Sequence, residues 1–446
     1  EGDKARRVAV TSDGNTAVVI HNHSQNAAII DVPSQSIQAV VSLGERPGEV
    51  RITHDDTRAV VSNLNDSFCS IIDIASASVT EVTISRRAGH VAISPNDHYA
   101  YLAVVASGDG VWRVDLNTLS VDGPKILTGS MGGIGFGFDQ VSGMTLSHDG
   151  ATLVTCNSYD NNISIIDTAS WAELVRVPVG SFPVRAAFSP DDSRIYVSNR
   201  DADSITIVDN AGAASTAIAS VSVGAFPFEL TTNVAGTKLY VANYNGKSIS
   251  VVDIPANTVS NTIALPQPGG AGQPMSIAVA GDDTALYVAA NGADVHRIDT
   301  ATEMITHTLN TGIAPAQLVF NDATQCAYVA SPLGADGLSV VCLFDSCATD
   351  VADGTEQSGN ALELTSLPNP FERGATISFR LRRPAEHLRL DVYDVTGRRV
   401  ARILDGPRSA GQHSVPWEAR RLPGGVYWLR CEVDGEVSTA RISCVR

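Results

Sequence analysis

Charged and polar side chains recur at an almost constant interval along the first three quarters of the chain. The interval is about 42 residues, and each of these residues opens a short apolar segment. The eight residues, called the polar set below, are Arg7, Glu49, His90, Gly143, Arg185, Glu229, Ser276 and Gln317. Carboxylate, imidazole and guanidinium groups are those that acid–base catalysis and anion binding use.

Two kinds of chemistry are open to the polar set. Glu49 or Glu229 could act as a general base, His90 as a proton shuttle, and Arg7 or Arg185 as a clamp for an anion. Arginine and glutamate also follow one another in consecutive repeats at two places. Because buried charges need partners, ion pairs between neighbouring repeats around a water-filled channel are the alternative.

The elements that position these residues are repeats of short strands. Each repeat has an apolar strand, an Asp/Gly turn, a β-rich strand such as "RIYVSN", a polar loop, a third strand such as "SITIVD", and a fourth strand that runs into a glycine. Four short strands with turns make one blade, so the chain is predicted to be all-β and to contain a β-propeller. Eight repeats predict eight blades, with seven as the alternative, and the last repeat ends near Phe344 without a fourth strand.

The segments "YVSN", "YVAN", "IVD" and "VVD" carry a family resemblance. With a proline before the first strand and "SPDD" after it, they resemble the YVTN-type β-propeller repeat over roughly residues 5–344. This resemblance implies a propeller, often in secreted or surface proteins. Lactonase propellers are similar to these repeats too, which implies a hydrolase as an alternative activity of the polar set.

A propeller places further candidates on the face of the polar set, because first strands line the channel and their openings share a face with the loops after the second strands. Asn199 and Asn243 end second strands, where asparagine usually caps a turn. Phe182 and Phe226 precede first-strand prolines; exposed, they could stack on sugars or a protein partner, and packed between blades they would be core. The predicted ligand-binding residues are Arg7, Phe182, Phe226, Gln317, Asn199 and Asn243.

Metal and cofactor motifs are weak in this sequence. His21 and His23 in "IHNH" point the same way on an extended segment and could begin a metal site, which needs a third ligand. The seven cysteines form neither CxxC nor CxxCH, which excludes zinc-ribbon and c-type haem motifs. No cofactor is therefore predicted, and a divalent metal is retained for the hydrolase alternative.

The cysteines and the net charge indicate a compartment. Cys326, Cys342 and Cys347 lie close in sequence, so they predict either a disulfide in an oxidising compartment or buried thiols. The net charge of −17 argues against a nucleic-acid partner, and no apolar run reaches the roughly 18 residues of a membrane-spanning helix. The first residue is glutamate rather than methionine, which indicates either that a signal peptide has been removed or that the sequence is part of a longer chain. We expect an extracellular or outer cell-surface protein.

The end of the chain has a different character. Residues 345–367 are polar and unpatterned, as in a linker, and the short alternating strands of residues 368–446 predict a small β-sandwich. This tail resembles the C-terminal sorting domain of type IX secretion cargo and the related immunoglobulin-like domain of flagellar-hook capping proteins, which implies that the sandwich is immunoglobulin-like. The resemblance implies the secretion machinery as a partner, and its principal matching residues are Asn369, Pro370, Phe371, Tyr393, Asp394, Gly397, Trp417, Gly425 and Tyr427.

The sequence thus predicts a propeller over residues 1–344, a linker over residues 345–367 and a sorting or anchoring sandwich over residues 368–446. The favoured function is a secreted or surface scaffold that binds an extracellular protein or glycan without catalysis. A lactonase-like hydrolase is the alternative, and a redox propeller with a quinone is a third hypothesis.

Overall fold

The computed structural model divides the chain into two units, Glu1–Thr349 and Asp350–Arg446. It describes residues 5–34, 36–84, 88–104, 110–131, 133–135, 139–141, 143–266, 272–292, 294–310, 317–330, 338–341, 364–367, 374–381, 384–394, 399–418, 425–433 and 436–444. Apart from two 3-10 turns, Arg200–Ala202 and Gly212–Ala214, the regular structure of these residues is all strand. None of them forms a helix long and apolar enough to cross a membrane.

The described residues of the first unit form eight antiparallel blade sheets and one two-stranded sheet, each built from consecutive strands of the chain. Blades 1 and 2 comprise Ala5–Val10, Thr16–His21, Asn26–Asp31 and Ser36–Ser42, then Pro47–Ile52, Arg58–Asn63, Phe68–Asp73 and Ser78–Thr83. Blades 3 and 4 comprise Ala88–Ile93, Tyr99–Val104, Gly110–Asp115, Ser120–Val121 and Ile126–Leu127, then Met144–Leu146, Thr152–Asn157, Asn162–Asp167 and Ala172–Pro178. The strands Gly133–Gly135 and Asp139–Val141 pair with each other in the insertion between these two blades.

Blades 5 to 8 continue the pattern. Blades 5 and 6 comprise Pro183–Phe188, Arg194–Asn199, Ser204–Asp209 and Thr216–Ser222, then Pro227–Thr232, Lys238–Asn243, Ser248–Asp253 and Thr258–Ala264. Blades 7 and 8 comprise Pro274–Val279, Ala285–Ala290, Asp294–Asp299 and Met304–Asn310, then Gln317–Asn321, Cys326–Ala330 and Leu338–Val341. First strands of neighbouring blades contact one another around the circle, and those of blades 8 and 1 meet. The predicted all-β propeller is therefore confirmed, with eight blades in the described part of the chain.

The hydrophobic core lies between blades, because one face of each sheet packs on the next sheet. Most side chains of the second and third strands are buried, whereas most side chains of the fourth strands are exposed to solvent. A tyrosine recurs at the same position of five second strands, and each is at most 2% exposed: Tyr101, Tyr196, Tyr240, Tyr287 and Tyr328. The tyrosine of the repeated "YV" segments is thus an interblade core residue.

The turn after the first strand of one blade contacts the same turn of the next blade. The groups on the two sides of such a contact are chemically complementary. Asp97 of blade 3 accepts hydrogen bonds from the backbone N–H groups of His54 and Asp55 in blade 2, at 2.8 and 2.9 Å. Asp192 and Asp283 each accept from two N–H groups of the preceding blade in the same way, whereas Asp56 accepts from the N–H and the hydroxyl of Ser12. All four aspartates have positive φ, between 54 and 60°.

Three blades have glycine in place of this aspartate: Gly14 faces the side chain of Thr324, and the other two glycines each face a proline. Gly150 lies against Pro95, so that an added Cβ would come within 2.5 Å of the proline Cδ. Gly236 lies against Pro190 in the equivalent contact. Because proline has no N–H to donate, a carboxylate there would lose one of its two backbone donors, and glycine leaves room for the ring. We call these seam pairs: aspartate with two N–H groups, or glycine with proline.

The ring closes between blades 8 and 1 by other contacts. The side chain of Asn321 donates to the carbonyl oxygens of Thr11 and Ser12, at 3.0 and 3.2 Å. The hydroxyl of Tyr328 donates to the carbonyl of Gly14 at 3.2 Å. Among the described residues, neither terminal sheet takes a strand from the other, so closure rests on side chains and packing.

The described residues of the second unit form two antiparallel sheets around one hydrophobic core. One sheet contains Leu364–Leu367, Gly374–Leu381 and Gly411–Glu418, and the other contains Arg399–Arg408, Ala385–Asp394, Gly425–Val433 and Glu436–Cys444. Ile377 and Phe379 of the first sheet pack with Leu390 and Leu429 of the second. The sequence analysis assigned residues 364–367 to the linker, whereas they form an edge strand of this unit.

Candidate functional site

Irregularities in the pairing of the first and second strands determine where the side chains of the polar set point. Pairing between first and second strands shifts register beside the polar-set residue in blades 1, 2, 3, 5, 6 and 7. Such β-bulges bend a strand and re-aim a side chain. The prolines at positions 47, 183, 227 and 274 lie at these shifts and lack the N–H that regular pairing would use.

The polar set converges on one cavity of about 300 Å³, which we call the channel pocket. Seven of its eight members line the pocket, all except Gly143, together with Arg51 and apolar residues of blades 7 and 8. The predicted catalytic candidates Glu49, His90, Arg185 and Glu229 therefore share one space with Arg7 and Gln317. This volume lies at the lower end of the range of small-molecule sites.

Glu49 is the most enclosed charge of the pocket, with 4% of its surface exposed. Its Oε1 lies 2.7 Å from Arg51 Nη2, and its Oε2 lies 3.3 Å from His90 Nδ1. Burial alone would raise the pKa of Glu49, but Arg51, His90, Arg7 and Arg185 together lower it from 4.5 to about 2. Glu49 is thus a permanent anion and a poor proton acceptor.

Glu229 differs from Glu49 in its environment. Its side chain is 30% exposed, and its Oε2 lies 3.5 Å from Arg185 Nε. Burial raises the pKa of Glu229, Arg185 and Arg7 oppose this rise, and Glu49 adds to it. Two carboxylates of one pocket therefore have pKa values shifted in opposite directions, which makes Glu229 the better acid–base group.

Arg7, Ser276 and Gln317 link blades as well as lining the pocket. The Oε1 of Gln317 accepts a hydrogen bond from the backbone N–H of Val8 at 3.0 Å, across the ring closure. The hydroxyl of Ser276 donates to the carbonyl of Leu318 at 3.4 Å. Burial lowers the pKa of Arg7, and the nearby Glu49 opposes this change.

The balance of charge in the pocket is positive. Three arginines, Arg7, Arg51 and Arg185, face two carboxylates, Glu49 and Glu229. The guanidinium groups outnumber the carboxyl groups by one, although the whole chain carries a net charge of −17. A low-dielectric cavity strengthens such a field, so the pocket can hold one small anion.

Arg51 was missed by the sequence analysis. It follows Glu49 by two residues in the same strand, so the alternation of side chains along a strand puts both on one side. The segment "EVRI" shows an arginine two residues after Glu49, but the alignment of the repeats selected only one position in each blade.

Asn199 and Asn243 have a structural role, which differs from the predicted ligand-binding one. Both side chains are fully buried. The amide of Asn199 donates to the hydroxyls of Ser204 and Thr206, and that of Asn243 to the hydroxyls of Ser248 and Ser250, at 2.9–3.2 Å. These bonds tie the second strand to the third within each blade and leave no surface for a ligand.

Phe182 and Phe226 lie half-buried within a row of aromatic side chains. Tyr159 makes an edge contact with Phe182 at a centroid distance of 5.5 Å, and Tyr244 contacts Phe226 at the same distance. The guanidinium of Arg200 lies 3.4 Å from the ring centroid of Phe182 and 5.3 Å from that of Phe226. These five residues are called the aromatic rim below.

Among the described residues, no set of metal ligands forms around the predicted metal-binding residues His21 and His23. His21 Nδ1 is hydrogen-bonded to Asn26 Oδ1 at 2.9 Å, and His23 is exposed. Within the described ranges, no three histidine, cysteine, aspartate or glutamate side chains are grouped to hold a metal ion.

The structure describes five of the nine residues on which the resemblance to sorting domains rests. Tyr427 belongs to the core of the second unit, and Trp417 packs against that core. Tyr393, Asp394 and Gly425 lie in its strands. The remaining four, Asn369, Pro370, Phe371 and Gly397, lie outside the described residues.

Comparisons with known proteins agree with the geometry. The family model for lactonase, a 7-bladed β-propeller, matches residues 183–260, which span blades 5 and 6. These blades contain Arg185, Glu229 and most of the aromatic rim. No curated protein sequence matches the chain.

Solved structures are similar in fold at low sequence identity. Hydrazine synthase of Kuenenia stuttgartiensis is 16% identical, with a TM-score of 0.53 over 76% of this chain and 96% of its own. The dihydro-heme d1 dehydrogenase NirN, solved in complex with DHE, is 13% identical, with a TM-score of 0.57 over 69% of this chain and 66% of its own. The β-propeller domain of Cps50 (Swd1) of Myceliophteria thermophila is 7% identical, with a TM-score of 0.53 over 77% of this chain and 98% of its own. The repeats, the eight sheets and these similarities together identify a β-propeller protein with a second all-β unit.

Proposed function

We propose that this protein is an extracellular binding protein whose channel pocket takes up the acidic group of a protein or glycan ligand. The observation that carries the proposal is the excess of guanidinium groups over carboxyl groups in one pocket of an acidic protein. Guanidinium groups bind carboxylates through paired, charge-assisted hydrogen bonds. Because Glu49 is held ionised, the pocket is suited to binding rather than to proton transfer through this residue.

Export through the second unit is part of this proposal. Cys326 is disulfide-bonded, which favours an oxidising compartment. The resemblance of residues 368–446 to type IX sorting domains supports a passage across the outer membrane, with the secretion machinery as a partner.

Small acids test the pocket directly. In isothermal titration calorimetry with galacturonate, we expect Arg185→Gln to weaken binding about tenfold or more, because one charge-assisted hydrogen-bond donor is lost. Glu229→Gln is expected to strengthen binding, because it removes a like charge beside the anion. Arg176→Gln is the matched control, since Arg176 pairs with Glu173 on an outer strand. Equal affinities in all three variants, or no binding by the wild type, would contradict the proposed pocket.

Export is tested by deletion of residues 350–446 in a host that has type IX secretion. The full chain is expected in the medium or on the cell surface, and the shortened chain inside the outer membrane. Trp428→Ala, which changes an exposed side chain of the second unit, serves as control. Equal export of the shortened chain would show that the second unit carries no sorting signal.

A lactonase-like hydrolase is the second candidate, favoured by the opposite pKa shifts of Glu49 and Glu229. Glu229 would be the general base, and Arg185 would stabilise the developing oxyanion. The Glu229→Gln variant separates the two functions. Turnover of a sugar lactone by the wild type that is lost in this variant would favour the hydrolase, whereas tighter galacturonate binding without turnover favours the binding protein.

A further inference from the structure

We propose that the channel pocket binds the C-terminal end of a peptide, with its α-carboxylate at the arginines and its last peptide group along the first strands of blades 7 and 8. This inference rests on the proposed function and selects a peptide, rather than a sugar, as the ligand class. It is carried by the way in which these two strands line the pocket, by a contact of the same kind within the protein and by the charge of the pocket.

The first strands of blades 7 and 8 face the pocket with their backbone edges. Four consecutive residues of each strand, 275–278 and 317–320, line the pocket. Because successive side chains of a strand point to opposite faces, four consecutive residues can share one cavity only along the backbone edge. Among the described residues, each of these strands pairs with the second strand of its own blade and with no other strand. The other edge therefore carries the N–H and C=O groups that strand pairing does not use.

The pairing pattern of blade 7 shows which groups lie on this edge. The backbone N–H of Ala280 donates to the carbonyl of Ala285 at 2.9 Å, so these two residues form a hydrogen-bonded pair. Hydrogen-bonded and non-hydrogen-bonded pairs alternate in an antiparallel ladder, so Ile277, opposite Val288, belongs to a non-hydrogen-bonded pair. The N–H and C=O of Ile277 therefore point away from the second strand, towards the channel.

The equivalent group of blade 1 binds an amide of the protein itself. Val8 has the position of Ile277 in its blade, directly after the polar-set residue. Its N–H donates to the side-chain amide oxygen of Gln317, a pocket residue, at 3.0 Å. In blade 8, the carbonyl of Leu318 at this same position accepts from the hydroxyl of Ser276 at 3.4 Å. Polar groups thus bind this edge from the side of the channel, and the amide of Gln317 does so as a peptide group would.

The size and the charge of the pocket fit the end of a peptide. A volume of about 300 Å³ is that of roughly ten water molecules, which a dipeptide fills. The guanidinium groups outnumber the carboxyl groups by one, which favours a ligand with one net negative charge. An N-acylated dipeptide, or the end of a longer chain, carries this charge, whereas a free dipeptide is a zwitterion. Its peptide group offers a donor and an acceptor to a strand edge, as peptides that add to a sheet do.

Calorimetry with blocked peptides tests the ligand. We expect N-acetyl-alanyl-alanine to bind about tenfold or more tightly than galacturonate, because a peptide group adds hydrogen bonds to those of the carboxylate. Its C-terminal amide is expected to bind at least about tenfold more weakly, because the charge is lost. The ester N-acetyl-alanyl-lactate, which lacks the last peptide N–H, is expected to bind about tenfold more weakly as well. N-acetyl-hexaalanine separates two sources of this chemistry: affinity equal to that of the dipeptide indicates the end of a longer chain, and weaker binding indicates a free acyl dipeptide.

Two proline variants test the strand edge. Ile277→Pro removes an N–H that pairing with the second strand does not use, so we expect binding of the blocked dipeptide to weaken about tenfold and that of galacturonate to stay unchanged. Val279→Pro is the matched control, because it lies on the same edge of the same strand and outside the pocket lining. Its affinity for the dipeptide is expected to equal that of the wild type. Ile277 is also a core residue, so the ester comparison decides if this variant does not fold.

Three results would overturn the inference. They are a blocked dipeptide that binds no more tightly than galacturonate, an ester that binds as tightly as the peptide, and equal losses of peptide binding in the two folded proline variants. If galacturonate still binds through Arg185 in these cases, the proposed pocket stands and only the peptide is rejected. If galacturonate does not bind at all, the proposed function fails as well.

Discussion

Replacing Glu49 by alanine is expected to lower the free energy of unfolding by about 3–5 kcal/mol at neutral pH. Glu49 is almost fully buried between Arg51 and His90, and Arg7 and Arg185 also act on it. Its removal leaves cationic groups facing one another in a cavity with too few anions. Urea unfolding at pH 7, followed by tryptophan fluorescence, measures the change.

The same residue predicts a dependence on pH. The pKa of Glu49 is about 2 in the folded protein and 4.5 ordinarily. Because the folded value is the lower one, the stabilisation is complete above pH 4.5 and is lost as the pH falls towards 2. The difference corresponds to roughly 3 kcal/mol. Glu49→Gln cannot titrate, so the gap in stability between wild type and variant is expected to narrow over this window.

Glu81→Gln provides the control, because Glu81 is exposed on the outer strand of the same blade. We expect this variant to change stability by no more than about 0.5 kcal/mol at any pH. A constant gap between wild type and Glu49→Gln from pH 7 to pH 2 would show that the arginines do not hold Glu49 ionised.

Asn321→Ala is expected to open the ring between blades 8 and 1. The side chain is 8% exposed, donates to two carbonyls of blade 1 and accepts from the backbone N–H of Thr324 at 2.9 Å. Loss of these three hydrogen bonds costs about 3 kcal/mol, at roughly 1 kcal/mol each. Amide hydrogen exchange in blades 1 and 8 is expected to become about a hundredfold faster, since about 1.4 kcal/mol is a tenfold change.

Asn233→Ala is the matched variant inside the ring. Asn233 is 7% exposed, and its side chain contacts Thr237 and Asp283 at the corresponding strand end of blade 6. Its loss is expected to accelerate exchange in blades 6 and 7 and to leave blades 1 and 8 unchanged. Uniform acceleration in both variants would mean that the propeller opens as one unit and that closure is no weaker than other seams.

The repeat pattern is sufficient to predict the blades, because strand order within a blade depends on local alternation. "RIYVSN" and "SITIVD" coincide with the second and third strands of blade 5. The shared pocket follows too, since the polar set occupies one position of every first strand. The bulges that aim it depend on pairing with the second strand, which a single segment does not encode.

The sequence analysis did not predict the contacts between side chains that are distant in sequence. Arg51 belongs to the pocket through its contact with Glu49. Asn199 was predicted to bind a ligand because its position faces the channel mouth, but its hydrogen bonds run inward to the third strand. Phe182 was open to two interpretations, and only its neighbours Tyr159 and Arg200, from other segments, place it in a surface row.

The seam pairs make the blades non-interchangeable. A blade with Pro95 or Pro190 at this turn is followed by a blade that has glycine at the facing position. A blade with two backbone N–H donors at this turn is followed by a blade that has aspartate there. Exchanging blades 3 and 4 would set Asp192 against Pro95 and remove one of the two backbone N–H groups that this carboxylate uses. Although the blades are copies of one motif, their order is specified pair by pair. A circular permutation that keeps every neighbour is compatible with these pairs, and a shuffled array is not.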